Sequence, residues 1–343
     1  MSIALPNATP ADGAPVRTVD VHAHVILPRV EQAVAGQPGL DAHRELDARR
    51  NGPESLAVSG RMVGERVPRL TRVPARLADM DAAGVDVQIV SPSPSHYHYW
   101  AGEELAEQVC RLAGEGVAEH CAQAPDRLHG LGLVPLQHPP LMVRLLDHAL
   151  GLGLKGVEIS SHAPGRELSD RAYEPFWAHA ARTGAVVFLH PFGCTLDERL
   201  DRFYLSNIVG QPAENAVALS HLIFSGVLDR HPALKVLAAH GGGYLPTYLG
   251  RADHGWRVRP EARGCAEPPS AYLRRVWFDS LVYEPAALRA LVEVAGPSRV
   301  VLGSDHPFDM GVTDPVDRLR AAGLDPDAFD AIRGRNAAAL FDL

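Results

Sequence analysis

The chain has only four cysteines in 343 residues, Cys110, Cys121, Cys194 and Cys265. None of them falls at the spacing of a zinc ribbon, a redox pair or a disulfide framework. Reduced thiols in a cytoplasmic protein are therefore the expectation. Long apolar runs are also missing, and none approaches the roughly 18 residues a membrane span needs. The opening stretch, Met1 to Thr18, is polar and rich in proline and alanine, without the basic end and apolar core of a secretory signal. Net positive charge is absent: 33 Lys and Arg against 41 Asp and Glu give −8. That argues against a general binder of nucleic acid or of an anionic membrane. An anionic small molecule would have to be met by a local cluster of arginines. There is no internal repeat and no low-complexity tract.

What is present is a soluble-protein composition, 46% hydrophobic and 22% charged, with ample material for a large core. After Thr18, short β-rich runs alternate with longer helical ones. The strands are expected at Val19–Val25, Val85–Ser91, Leu128–Val134, Gly156–Ser160, Ala185–His190, Lys235–His240, Val276–Asp279 and Arg299–Leu302. Helices are expected between them, at 75–83, 102–124, 141–150, 170–183, 213–229, 244–254 and 285–294, with a terminal set at 315–322, 326–332 and 336–341. Gly84, Gly184 and Gly296-Pro297 punctuate the returns from helix to strand. Eight strands with helical crossovers predict a parallel (β/α)8 barrel spanning residues 1–343 as one domain. The rival, a doubly wound open sheet, lacks its Gly-rich phosphate loop after the first strand. The interval Val30–Pro74 reads as an insertion after strand one, a long binding or lid loop carrying several arginines.

Chemistry-bearing residues gather where these strands end. His22 and His24 stand at i and i+2 of the first strand, a spacing that points both to one side and lets them grip one ion. His190 closes the fifth strand, and Asp305 follows the eighth in Gly303-Ser304-Asp305-His306-Pro307. Three imidazoles and a carboxylate suit a divalent transition metal, with zinc first and manganese as the alternative. Asp305 also fits the ordinary role of a helix N-cap. A lone strand-end histidine such as His190 is often structural, so its assignment depends on the company of His22 and His24. His240, ahead of Gly241-Gly242-Gly243, is better used as general acid/base than as a further ligand. The second strand, ending Ile89-Val90-Ser91-Pro92, delivers no ligand. Ser95-His96-Tyr97-His98-Tyr99-Trp100 follows it, and His96 and Trp100 are candidates either to line an aromatic-substrate pocket or to pack beneath the insertion.

In order and strand position, His22-Ala23-His24, His190-Pro191, His240-Gly241-Gly242-Gly243 and Gly303-Ser304-Asp305 resemble the amidohydrolase superfamily. Within it the chain is similar to the branch typified by 2-amino-3-carboxymuconate-6-semialdehyde decarboxylase. The resemblance runs from Val19 to the end and takes in Arg76 to Asp86 and Leu249-Gly250-Arg251. Near the C-terminus, Gly334-Arg335-Asn336-Ala337 departs from the branch's Gly-Asn-Ala turn by the intervening Arg335. The resemblance implies a metal held by His22, His24, His190 and Asp305, with His240 as acid/base. It implies substrate carboxylates bound by Arg69 and Arg251, one of them from the neighbouring subunit of a homodimer.

The expected activity is metal-dependent, non-oxidative decarboxylation of a carboxylated aromatic or a muconate-type ring-cleavage acid. His240 and Asp305 would manage the proton, and the metal would be the sole cofactor. The alternative on the same scaffold is a hydrolase or hydratase of a related carboxylate, such as a lactonase or C–C bond hydrolase. A metal-containing binding protein without turnover is the third reading, and it leaves His240 without a role.

Overall fold

Short, largely apolar runs build a ring of parallel strands in the computed structural model, which describes residues 16–193 and 195–343. Cys194 and the segment preceding residue 16 lie outside the described residues. In chain order the strands are β1 (Val19–Val25), β2 (Val87–Pro92), β3 (Leu128–Gly130), β4 (Gly132–Leu133) and β5 (Gly156–Ile159). A small antiparallel hairpin, β6 (His162–Ala163) and β7 (Arg166–Glu167), comes next. The ring then continues with β8 (Val186–Leu189), β9 (Lys235–Ala238), β10 (Trp277–Asp279) and β11 (Val300–Val301). Hydrogen bonding runs β1-β2-β3 and β4-β5-β8-β9-β10-β11. Only Leu131 separates β3 from β4, and its amide donates to Val90 O, so the two form one staggered barrel strand. Closure comes from Val21 N to Leu302 O at 2.9 Å and His24 N to His306 O at 2.8 Å. The eight-stranded barrel expected from the alternation is the fold observed.

The barrel floor is filled by Val19, Val21, Val87, Ile89, Leu131, Val186, Phe188, Leu237, Ala239 and Val301, all buried. A second apolar shell packs between the strands and the outer helices. β1 carries an irregularity on which the site depends. Asp20 pairs with Gln88 but Ala23 pairs with Val90, so three steps on β1 face two on β2. This β-bulge inserts one residue. Val19 and Val21 therefore face the barrel interior, and so do His22 and His24, whereas strict alternation would have set the pairs on opposite faces.

The outer layer begins with α1 (Pro28–Val34), α2 (Pro38–Asn51), α3 (Pro53–Thr71) and α4 (Val73–Ala83). The stretch from 30 to 74, expected as a long loop, is thus mostly helical. Its prolines read as loop signals, yet Pro28, Pro38 and Pro53 each sit in the first turn of a helix. There the missing N–H costs nothing. The remaining helices are α5 (Glu103–Cys121), α6 (Pro139–Gly151), α7 (Glu174–Thr183), α8 (Gln211–Phe224), α9 (Val227–Arg230), α10 (Leu249–Val258), α11 (Pro285–Ala295), α12 (Pro315–Ala321), α13 (Pro326–Asp330) and α14 (Asn336–Phe341). The helix expected across 213–229 is broken into α8 and α9 by Gly226, at φ 71°. Gly84 and Gly184 end α4 and α7 in the left-handed conformation, as their placement before strands predicts. No described helix is long and apolar enough to cross a membrane.

Candidate metal centre

The ends of β1, β8 and β11 deliver His22, His24, His190 and Asp305 to one mouth of the barrel. One ligand atom from each lies within 4.8 Å of all the others, and all four residues are buried. His22 Nε2 and His24 Nε2 are 3.1 Å apart. Asp305 Oδ1 is 3.4 Å from the first and 3.3 Å from the second. The imidazole of His190 stands with its centroid 4.9 Å from those of His22, His24 and His240. Neither His190 nitrogen has a hydrogen-bond partner, nor does Asp305 Oδ1. Buried polar atoms left unpaired in this way are costly unless something else satisfies them.

The tautomers explain what that something is. His22 Nδ1 lies 2.6 Å from Asp279 Oδ2, an acceptor, so Nδ1 carries the proton. His24 Nδ1 faces Pro92 O at 3.3 Å and Ser91 Oγ at 3.1 Å, which places its proton there too. Both Nε2 atoms then turn lone pairs toward each other and toward a carboxylate oxygen. Three electron-rich atoms at this spacing repel unless a cation sits among them. Zinc at about 2.0–2.1 Å from each ligand would hold tetrahedral donors roughly 3.3–3.4 Å apart, close to the separations found. The donor set therefore fits a divalent metal.

Electrostatics show the same demand for positive charge. Burial works to lower the His22 pKa, but the Asp305 and Asp279 carboxylates outweigh it and raise the value to about 9. Burial works to raise Asp305, yet the surrounding His22, His24 and His240 hold its carboxyl well below the usual range. His190 is pushed well below the ordinary histidine value by burial and then by its histidine neighbours, which keeps it neutral and able to donate a lone pair.

His240 sits at the rim with φ 52°, its Nε2 3.8 Å from Asp305 Oδ2. The glycines after it are required by space as much as by dihedral. A Cβ on Gly241 would stand 2.3 Å from Val282, and one on Gly243 would stand 2.1 Å from Pro212 O. Ser91, on the strand end expected to deliver no ligand, supports His24 through the 3.1 Å contact.

Two buried carboxylates were not legible as site residues. Glu158, on β5, accepts from Tyr97 Oη at 2.7 Å and lies 3.7 Å from His24 Nδ1. Asp279, at the end of β10, supports His22. Both lie within expected strands, and Asp279 held a strand-end position like those of the recognised ligands, which was the available signal. Outside the ring, Asp20 is held by Gln88 and Ser304. Arg76 donates to Gln88 Oε1 at 2.6 Å and to His24 O at 2.5 Å, fixing the end of β1 from behind.

The other expected residues are not gathered with the four ligands. His96 is fully buried beneath α1, where its Nε2 accepts from Leu27 N at 2.9 Å and its Nδ1 lies 3.1 Å from Glu31 Oε1. Trp100 packs beneath α2, close enough that a Cβ on Gly39 would stand 2.4 Å from its ring. These two therefore take the packing role rather than lining a pocket. Glu31, His96 and His98 also bring ligand atoms within 4.8 Å of one another. Because His96 Nε2 accepts a hydrogen bond, its Nδ1 holds the proton and has no lone pair for an ion. Arg69, half exposed near the end of α3, pairs with Asp79 at 3.0 Å. The two border a cavity of about 240 Å³ outside the ring, with Arg66, Ser304 and His306. Arg251 is exposed on α10.

At the same mouth, Glu214 of α8 accepts from Thr195 N at 2.8 Å and from Ser161 Oγ at 3.2 Å, and lies 3.3 Å from His162 Nδ1. It thereby ties the segment after His190 to the end of β5. Burial works to raise its pKa, but His162 and the Thr195 donors bring it down to about 2. A depressed carboxylate contributes stability above its unfolded value of about 4.5 and loses it as pH falls through the folded value. The difference between wild type and Glu214→Gln, followed by urea unfolding, should accordingly be on the order of 3 kcal/mol near neutrality. It should shrink steadily between about pH 4.5 and 2. A difference independent of pH would show that the carboxylate's charge contributes nothing.

Known proteins match the chain over most of its length. The amidohydrolase family profile matches residues 19–343. The 2-amino-3-carboxymuconate-6-semialdehyde decarboxylase of Dictyostelium discoideum is 32% identical over 300 residues, covering 87% of this chain and 83% of that protein. The enzyme of the same name from Caenorhabditis elegans is 30% identical and covers 86% of each chain. Among solved structures, 5-carboxyvanillate decarboxylase from Sphingomonas paucimobilis superposes with a TM-score of 0.81 at 26% identity, covering 96% of this chain and 100% of that one. A strand-end histidine pair, a third imidazole and a carboxylate, set in a barrel matched over this length, have one reading: the chain belongs to the amidohydrolase superfamily, in the branch of the 2-amino-3-carboxymuconate-6-semialdehyde decarboxylases.

Proposed function

We propose that the protein is a metal-dependent, non-oxidative decarboxylase of a carboxylated aromatic or a muconate-type ring-cleavage acid. The observation that carries this reading is the buried convergence of His22, His24, His190 and Asp305, with His240 beside it. The decarboxylases of the branch support it, as does the related 5-carboxyvanillate decarboxylase from Novosphingobium aromaticivorans, solved with manganese at 23% identity. We assign the four residues as metal ligands, with zinc the first expectation for a set of three imidazoles and one carboxylate. When bound, the ion orients the substrate and supplies Lewis-acid polarisation.

The rest falls to the chain's own side chains. His240, as acid, delivers a proton to the carbon that bears the departing carboxylate. The C–C bond then breaks, its electron pair stays in the substrate's conjugated system, and CO2 leaves. Asp305 Oδ2 faces His240 Nε2 across 3.8 Å and shares with it the handling of that proton. Arg251 and Arg69 bind substrate carboxylates through their planar guanidinium groups, one of them reaching the site of the neighbouring subunit, since neither is gathered with the ligands of its own chain. Asp79 does not forbid this for Arg69, since a pair this exposed is worth only about 0–1 kcal/mol. A homodimeric, cytoplasmic enzyme made of one domain over residues 1–343 completes the proposal.

A screen of carboxylated aromatics and muconate-type acids with the metal-loaded protein tests it. Release of CO2 without solvent oxygen entering the product is the expected outcome. Incorporation of solvent oxygen with no CO2 would instead make the protein a hydrolase or hydratase.

A further inference from the structure

Asp279 has a bonding pattern that only a carboxylate can satisfy. It is fully buried at the end of β10. Its Oδ2 accepts from the ring Nδ1 of His22 at 2.6 Å and from the backbone N–H of His240 at 2.9 Å. Its Oδ1 accepts from the backbone N–H groups of Gly241 at 2.8 Å and Leu281 at 3.1 Å. All four neighbours are donors. An asparagine in this place would turn its own NH2 toward one pair of them, whichever way its amide lay.

We propose that Asp279 is the positioning residue that makes the ligand His22 and the acid/base His240 a single mechanical unit. The inference rests on the metal-site reading given above. One half of the role is the tautomer. A carboxylate on Nδ1 holds the ring proton there, so the lone pair of Nε2 points toward His24 and Asp305. Neither of the other two histidines has a carboxylate within hydrogen-bond reach: His24 Nδ1 is held by a hydroxyl and a carbonyl, with Glu158 Oε2 3.7 Å away, and neither His190 nitrogen has a partner. The second half is the backbone. His240 holds φ 52°, a conformation side-chain-bearing residues disfavour, and Gly241 holds φ 60°. The same carboxylate gathers both amides and keeps the imidazole of His240 at its place above Asp305. Because one oxygen serves His22 and His240 together, a shift of either moves the other.

The test uses the full chain carrying Asp279→Asn. Competition for Zn²⁺ against a chromophoric chelator should show affinity about 10–100-fold below wild type. With zinc saturating both proteins, kcat should still fall about tenfold or more, because His240 has lost its anchor. A folded variant with wild-type zinc affinity and wild-type kcat overturns the assignment. Should the variant fail to fold, wild type alone decides, through ¹⁵N-histidine NMR with the His22 signal assigned by its loss in His22→Asn. A slowly exchanging Nδ1 proton on His22, present with and without zinc, is the expected result. An unprotonated Nδ1 overturns the proposal. If wild type binds no ion, the functional reading falls instead, and the Nδ1 proton still decides the role of Asp279.

Discussion

Replacing His240 by alanine should lower the rate of CO2 release by about 10²–10⁴-fold, the range a positioned acid/base contributes. Metal content should stay at the wild-type level, because the four proposed ligand atoms converge without the His240 imidazole. KM should change little, since the deleted group acts on the reacting carbon and not on the carboxylates that anchor the substrate. The imidazole is 3.8 Å from Asp305 Oδ2, and its buried Nδ1 has no protein hydrogen-bond partner, so no other side chain of the protein occupies it. Turnover at the wild-type rate in His240→Ala would remove it from the mechanism and shift the proton transfer to Asp305. Stopped-flow detection of CO2, paired with elemental analysis of the same sample, separates loss of chemistry from loss of metal.

Stripping the ion should be more damaging, abolishing turnover and lowering stability together. Without a cation, the Nε2 atoms of His22 and His24 and the Oδ1 of Asp305 confront one another within 3.1–3.4 Å. The protein relieves that repulsion by taking up protons, as the raised pKa of His22 indicates. An ion present at about 1,000 times its Kd stabilises the folded chain by about 4 kcal/mol. Dialysis against a strong chelator should therefore lower the melting temperature as well as end CO2 release, and Zn²⁺ or Mn²⁺ should restore both. Full activity in chelated protein with no detectable metal would refute the assignment of these four residues. Activity restored by Mn²⁺ alone would leave the ligand set standing and change only the ion.

Much of this architecture was legible because barrel strands announce themselves twice. Val186-Val187-Phe188-Leu189 and Val236-Leu237-Ala238-Ala239 are apolar runs, and each ends on a histidine that such a run has no reason to carry. His22-Ala23-His24 adds spacing to context. The helices between Pro28 and Thr71 were not legible because proline marks both a loop and the first turn of a helix, and only the neighbouring packing distinguishes them. Glu158 and Asp279 stayed hidden for another reason. Their partners, His24 and His22, are more than one hundred residues away, and the strand-end place of Asp279 is the one local hint of a buried acceptor. His96 was open to two readings, pocket lining or packing beneath the insertion, because an aromatic-rich stretch after a strand serves either; its contacts to Leu27 and Glu31 favour the second.

The extra residue in β1 between Asp20 and Ala23 makes the first strand intolerant of length change. Below it the strand contributes hydrocarbon to the plug of the cylinder, and above it the same strand contributes nitrogen to the mouth. Excising one residue there would restore perfect pleating and rotate both imidazoles into the wall of helices, leaving a better-formed sheet with no grip on an ion. Homologous chains with this chemistry should consequently accept varied side chains at Val19 and Val21 far more readily than a single-codon gap between them and His24.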